Sequence, residues 1–279
     1  MTERLAEITR RIENVRQLEA VVTAMRGIAA RRAQQSRAQL PAVRAYAAVI
    51  AGAIAAALPL LPEVPPAARR ASRGAVILFG AEQGFAGAFS DRMLDAAAPL
   101  LAGASLFLIG TRAIMLAGER RLAIAWQSGM APHIDAVPAV AGRVADALYE
   151  RVAASAFDRV SLVFPVWSAA SGLGAERRVL LPFEFGRITG PPRSAQAPLV
   201  TLPADVLLSR LAEEYVFAEL CEAAMLAFAA ENEARVAAMM AAKGNIERVR
   251  TGLDAEERQT RQEEITAEVA ELAGAMAAG

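Results

Sequence analysis

The chain has 279 residues, 55% of them apolar, which is enough to bury a core of ordinary size and argues against a disordered or fibrous protein. Thirty basic side chains balance thirty acidic ones, so no bulk field draws the protein to nucleic acid or to an anionic bilayer. One cysteine, Cys221, and one histidine, His133, exclude an internal disulfide and any metal centre built from cysteines or histidines.

Charged residues Glu3, Arg4, Glu7, Arg10 and Arg11 precede any long apolar run, which a secretory signal would not tolerate, so no export is expected. From Thr2 to about Ala57, apolar residues fall at Leu5, Ile8, Ile12, Val15, Leu18, Val22, Met25 and Ala29. Steps of three and four give the period of a coiled-coil seam. Such a helix would reach roughly 80 Å at about 1.5 Å per residue. Ala45 to Leu61 is seventeen residues without a charge and sits at the lower limit for spanning hydrocarbon; its alanines and Pro59 favour a packed helix end, and no membrane span is expected.

The middle of the chain changes character. After Pro62, Pro65 and Pro66, strands are predicted at Ala75–Gly80, Ser105–Gly110, Leu122–Trp126, Arg159–Phe164 and Arg177–Phe183. Helices are predicted at Phe89–Leu101, Thr111–Gly118 and Val137–Phe157. Alternating Val-, Ile- and Leu-rich strands and helices indicate a small α/β sheet of parallel strands. Gly186 to Pro203 reads as a linker.

Beyond Pro203 there is no proline, and Leu208, Leu211, Tyr215, Ala218, Cys221, Met225, Phe228, Asn232, Val236, Met239, Lys243, Ile246, Val249 and Leu253 continue the seam spacing. Asn232 and Lys243 are polar seam positions that would fix register. The two terminal helices most simply satisfy each other as an antiparallel hairpin. The predicted organisation is therefore residues 1–60 as an N-terminal coiled-coil helix, 61–203 as an α/β domain with linker, and 204–279 as a C-terminal coiled-coil helix.

Candidate chemistry is sparse. Gly80-Ala81-Glu82-Gln83-Gly84-Phe85-Ala86-Gly87 joins a strand to a helix where a phosphate loop would lie, but it lacks the P-loop ending and the dinucleotide glycine spacing. It reads as a glycine-requiring turn. Asp91 and Asp95, four apart on a helix, read as solvated acids, and His133, between Pro132 and Ile134, as a loop residue. No catalytic residue, metal or cofactor is expected. The interleaved charges of Asp254 to Glu264 suit a water-facing shaft, and Ile265 to Met276 a slim, weakly polar tip.

Several motifs resemble the gamma subunit of F-type ATP synthases, and they stand in order along nearly the whole chain. Arg11-Ile12-Glu13-Asn14-Val15, Val22-Thr23-Ala24-Met25 and Ile28-Ala29-Ala30 are similar to the family's N-terminal signature. Arg261, Gln262, Ile265, Thr266 and Glu268 match its C-terminal Arg-Gln-x-x-Ile-Thr-x-Glu signature. Glu231-Asn232-Glu233-Ala234-Arg235 and the turn at Ile77 to Phe89 also resemble family segments.

The resemblance implies an antiparallel hairpin with a Rossmann-like α/β domain between its helices, serving as a non-catalytic central-stalk rotor subunit. It implies alpha and beta subunits of the catalytic hexamer, an epsilon subunit and a c-ring as partners, at the cytoplasmic face of a bacterial inner membrane. By the same carry-over, Met25 and Arg235 would meet the beta lever loops, and Arg261, Gln262, Thr266 and Glu268 the catch loops. Thr23, Gly27 and Lys243 depart from the family pattern and leave open a divergent paralogue serving an alternative F-type ATPase. Two other readings are a stalk adaptor of another rotary or secretion ATPase, and a small-molecule enzyme on the α/β domain.

Overall fold

The computed structural model describes residues 2–61, 74–154, 157, 159–182 and 199–277. The prolines at 62, 65 and 66, Phe183 and most of the expected linker lie outside them. The helices and strands, in chain order, are α1 (Thr2–Ala57), β1 (Gly74–Phe79), α2 (Phe89–Ala97), β2 (Ala104–Ile109), α3 (Thr111–Glu119), β3 (Ile124–Ser128), α4 (Val137–Ala153), β4 (Arg159–Ser168), β5 (Gly172–Leu181) and α5 (Ala204–Ala277). The chain forms two compact units, residues 1–29 with 236–279 and residues 30–235.

In the unit of residues 30–235, a five-stranded sheet has the order β3-β2-β1-β4-β5. The central strand β1 pairs in parallel with β2 and β4, with Leu78 opposite Leu108 and Val163. It is buried from Ala75 to Phe79, which explains why its sequence is continuously apolar instead of alternating. One sheet face packs on α4 and α5 through Ile77, Phe79, Phe107, Val144, Leu148, Leu220 and Phe228. The other packs on α2 and α3 through Val76, Leu78, Met93, Leu94 and Ala113.

The fully parallel sheet expected from the sequence holds for β1 to β4 only. The last strand starts at Gly172 and runs antiparallel to β4, with Ser168 opposite Gly172 and Val160 opposite Leu181. Two features hide this hairpin. Pro165 falls inside β4, yet lies past the last β1 pairing, Leu78 with Val163, where β5 is the remaining neighbour. Gly-Leu-Gly-Ala-Glu opens β5 without the β-branched run that usually marks a strand.

Helix α5 is buried almost all round between Val216 and Arg235; the uncharged, alanine-rich run Ala223–Ala230 suits this, and the charges flanking it at Glu219, Glu222, Glu231 and Arg235 are covered only with partners. Along it α1 runs antiparallel. Ser36 Oγ donates to the Met225 carbonyl at 2.8 Å, and Tyr46 donates to Glu214 at 2.6 Å. Arg37 pairs with Glu233 at 2.7 Å. Farther along, Ile54 and Ala57 bury against Leu208. The helix Glu3–Leu60 is long and apolar enough to cross a membrane by length and composition. The packed end expected for Ala45 to Leu61 is one-sided: Ile54 is fully buried whereas Val49 is 69% exposed.

In the unit of residues 1–29 and 236–279, the antiparallel pairing has its own small core of Ile8, Ile12 and Leu253, with Val15 beside it. Arg4 faces Glu256 at 4.0 Å, and Glu19 takes Arg250 at 2.7 Å and Lys243 at 4.0 Å. The expected seam residues Leu18 and Val249 are 56% and 52% exposed. The seam there is carried by their charged neighbours.

Candidate functional site

The turn after β1 is built by close approach. At Gly80 an added Cβ would lie 2.2 Å from the Ala113 Cβ, and at Gly110, where φ is +112°, it would lie 2.7 Å from the Ala81 carbonyl oxygen. Only glycine fits at either place. The Glu82 carboxylate accepts hydrogen bonds from Thr111 N–H and Oγ1, both at 2.9 Å, and from Met130 N–H at 2.7 Å. It thereby caps the N-terminus of α3.

The position where a nucleotide phosphate would sit is filled by a side chain of the protein. The Glu231 carboxylate of α5 accepts from the backbone N–H groups of Glu82 and Gln83 at 2.9 and 3.1 Å. Arg235, four residues on, donates to Glu231 at 2.5 Å, to Asn232 Oδ1 at 3.0 Å and to the Gly84 carbonyl at 3.2 Å. Asn232 in turn donates to the Phe228 carbonyl at 2.8 Å. All three side chains are buried. Arg235, expected to face a partner, thus has its guanidinium engaged within its own chain, and Asn232 serves α5 itself.

A second buried charge cluster lies on the same helix. Arg178 of β5 donates to Glu222 and Glu219 of α5, both at 3.0 Å, and to Glu176 at 2.8 Å, with its guanidinium 4.9 Å from the Phe164 ring centroid. Arg44 of α1 reaches Glu222 from the other side at 2.8 Å. Burial alone would lift the Glu222 carboxyl, but hydrogen bonds from Arg178 and Arg44 hold it below its ordinary value. Burial would lower Arg178, and its bonds to Glu222, Glu176 and Glu219 raise it instead. Sequence reasoning missed this cluster because its members are far apart in the chain. The one available signal was Glu219 and Glu222, two acids three apart beside the apolar run Ala223–Ala230.

The remaining candidates have plain structural roles. Arg120 bridges Asp91 and Asp95, each at 2.5 Å. Among the described residues no group of three His, Cys, Asp or Glu is placed to hold a metal ion. His133 is exposed in the loop before α4, and burial pushes the Cys221 thiol up to about 12.

On α1, Met25 is half-buried, and Leu18, Val21 and Ile28 near it are each more than half exposed. On α5, Thr260 is the last buried residue among those described. Arg261, Gln262, Thr266 and Glu268 follow it, all exposed. Arg261 pairs with Glu257 at 3.0 Å, and Thr266 Oγ1 donates to the Gln262 carbonyl at 2.8 Å. Interleaved with them, Ile265, Val269, Leu272 and Met276 form a helical stripe exposed by 55%, 59%, 66% and 87%. The exposed stripe agrees with the weakly polar composition of the tip.

A family model described as ATP synthase matches residues 4–278. An ATP synthase gamma chain from Parafrankia sp. (strain EAN1pec) is 29% identical over 293 residues, covering 98% of this chain and 97% of that one. One from Thermobifida fusca (strain YX) is 26% identical over 295 residues, covering 98% and 96%. Among solved structures, a chain of the Euglena gracilis mitochondrial ATP synthase OSCP/F1/c-ring superposes with a TM-score of 0.66 at 14% identity, covering 100% of this chain and 95% of that one. A chain from the rotor of the same organism's enzyme gives 0.63 at 14% identity, covering 95% and 100%. These two likenesses are of fold.

Proposed function

This chain belongs to the ATP synthase gamma family, and we propose that it is the central-stalk rotor subunit of an F-type ATP synthase, coupling ion-driven rotation to ATP synthesis or hydrolysis at the beta subunits. Its partners in this reading are the alpha and beta subunits, an epsilon subunit and the c-ring, at the cytoplasmic face of a bacterial inner membrane. The carrying observation is the end of α5, which continues past its last buried residue, Thr260, with apolar side chains exposed on one stripe. A helix end of that kind fits an apolar collar in which it can turn without strong directional bonds.

The working division is the helix of residues 1–60, the α/β part of residues 61–203 and the helix of residues 204–279. Met25, with exposed Leu18, Val21 and Ile28, faces the beta lever loops, and Arg261, Gln262, Thr266 and Glu268 engage the catch loops. Arg235 supports the lever region from within, because its guanidinium is bound by Glu231, Asn232 and Gly84. The subunit carries no catalysis of its own: the amides that would bind a phosphate are occupied by Glu231.

Reconstitution tests the proposal. The isolated chain should show no ATPase activity and no calorimetric heat with ATP, and should assemble with alpha and beta subunits into an active complex. Failure to enter such a complex overturns it.

A further inference from the structure

We propose that helix α5 is keyed to the sheet by two polar anchors on opposite faces, and that these anchors transmit twist between the sheet and the helix. The proposal rests on the rotor reading. Between Val216 and Arg235 the buried apolar surface of α5 is alanine-rich, with Ala218, Ala223, Ala224, Ala227, Ala230 and Ala234 beside the larger Leu220, Met225 and Phe228. Such a surface packs well but resists rotation about the helix axis poorly, because apolar contact is non-directional. Hydrogen bonds add directional resistance to that packing.

The structure supplies them at two places. Near one end, Glu219 and Glu222 are held by Arg178 of β5, with Arg44 on Glu222 as well. Near the other, Glu231 holds the N–H groups of the turn after β1, and Arg235 holds the Gly84 carbonyl of the same turn. Glu222 and Glu231 are nine residues apart, a rise of about 14 Å and a rotation of roughly 180° around the axis. Their grips therefore act on opposite faces of α5, as a couple. Turning the helix in either direction strains both sets of bonds at once, and each set ends on a different part of the sheet.

The test uses the assembled, membrane-bound complex carrying Glu231→Gln, Glu222→Gln or both, and reads ions pumped per ATP hydrolysed, beside hydrolysis itself and subunit content. Arg235→Lys is a second probe of the turn anchor, keeping charge but losing the planar fork. The expected result is assembly with hydrolysis retained, a pumping ratio lowered in each single variant, and a several-fold loss in the double variant. An unchanged ratio in the double variant overturns the proposal. So does a parallel loss of hydrolysis and pumping at a constant ratio, which would make the anchors mere supports of the fold. If the unaltered chain itself fails to assemble, the rotor reading falls, and the anchors' role in coupling falls with it.

Discussion

Glu19 and Arg250 meet at 2.7 Å between α1 and α5, while their apolar neighbours Leu18 and Val249 point outward. Charged groups thus occupy the positions that periodicity assigned to Leu18 and Val249. With Lys243 also near Glu19, the arrangement sets the register of the two helices.

This pair should matter more for register than for stability. The Arg250 side chain is 38% exposed, so Glu19→Ala is expected to cost under about 1 kcal/mol. Ile12→Ala, which empties the small core with Ile8 and Leu253, should cost about 2–4 kcal/mol. Charge reversal at Glu19 should be worse than Glu19→Ala, because it faces two cations. Thermal melts followed by circular dichroism rank the three, and equal losses for Ile12→Ala and Glu19→Ala would contradict the assignment.

Gly110 should tolerate no side chain. Its φ of +112° and the 2.7 Å approach to the Ala81 carbonyl oxygen put the expected cost of Gly110→Ala at about 3–5 kcal/mol. Gly87 also has a positive φ, but nothing lies within 4 Å of its added Cβ, so Gly87→Ala should cost only about 1 kcal/mol. Denaturant unfolding distinguishes them, and similar midpoints for the two would show that the β1 turn is not tightly closed.

Much of this was legible in the sequence. The bounds predicted for β1 and β2 are correct to within one residue, since buried central strands announce themselves as apolar runs. Alternating segments also announced the helices of the sheet. What stayed hidden was decided by long-range partners: β5 is antiparallel because of β4, Arg235 is internal because Gly84 and Glu231 surround it, and Arg178 is identified only by the carboxylates of α5. In each case local pattern gave an element or a charge, and only the fold supplied what it touches.

All three tyrosines, Tyr46, Tyr149 and Tyr215, should ionise late. The hydrogen bond to Glu214 raises Tyr46 to about 12. Burial raises Tyr215 to about 12 and Tyr149 beyond it. A folded-state value above the unfolded value of 10.0 means that the stabilisation is whole below pH 10 and is lost as pH rises through about 12. Absorbance titration of the native protein should therefore show almost no tyrosinate at pH 10, with ionisation and unfolding together above it. A tyrosine titrating near pH 10 in the folded protein would contradict this, and Tyr46→Phe tells whether the fault lies with the Tyr46–Glu214 bond or with a buried tyrosine.

Truncation after Arg261 separates folding from coupling. The deleted segment begins past Thr260, the last buried residue of α5, and carries Ile265, Val269, Leu272 and Met276 on its exposed stripe. Exposed side chains add little to the folded state, and terminal segments without packed neighbours are tolerant of removal. The truncated chain should keep its helix content, and its melting temperature should stay within a few degrees of the full-length value. If the stripe rides in a collar formed by partner subunits, the loss appears elsewhere, as a complex that still assembles and hydrolyses ATP but couples it weakly to ion movement. Two results speak against this division. Loss of helical folding on truncation would make the tip part of the core, and full coupling without it would leave Gln262, Thr266 and Glu268 with no part in the coupling.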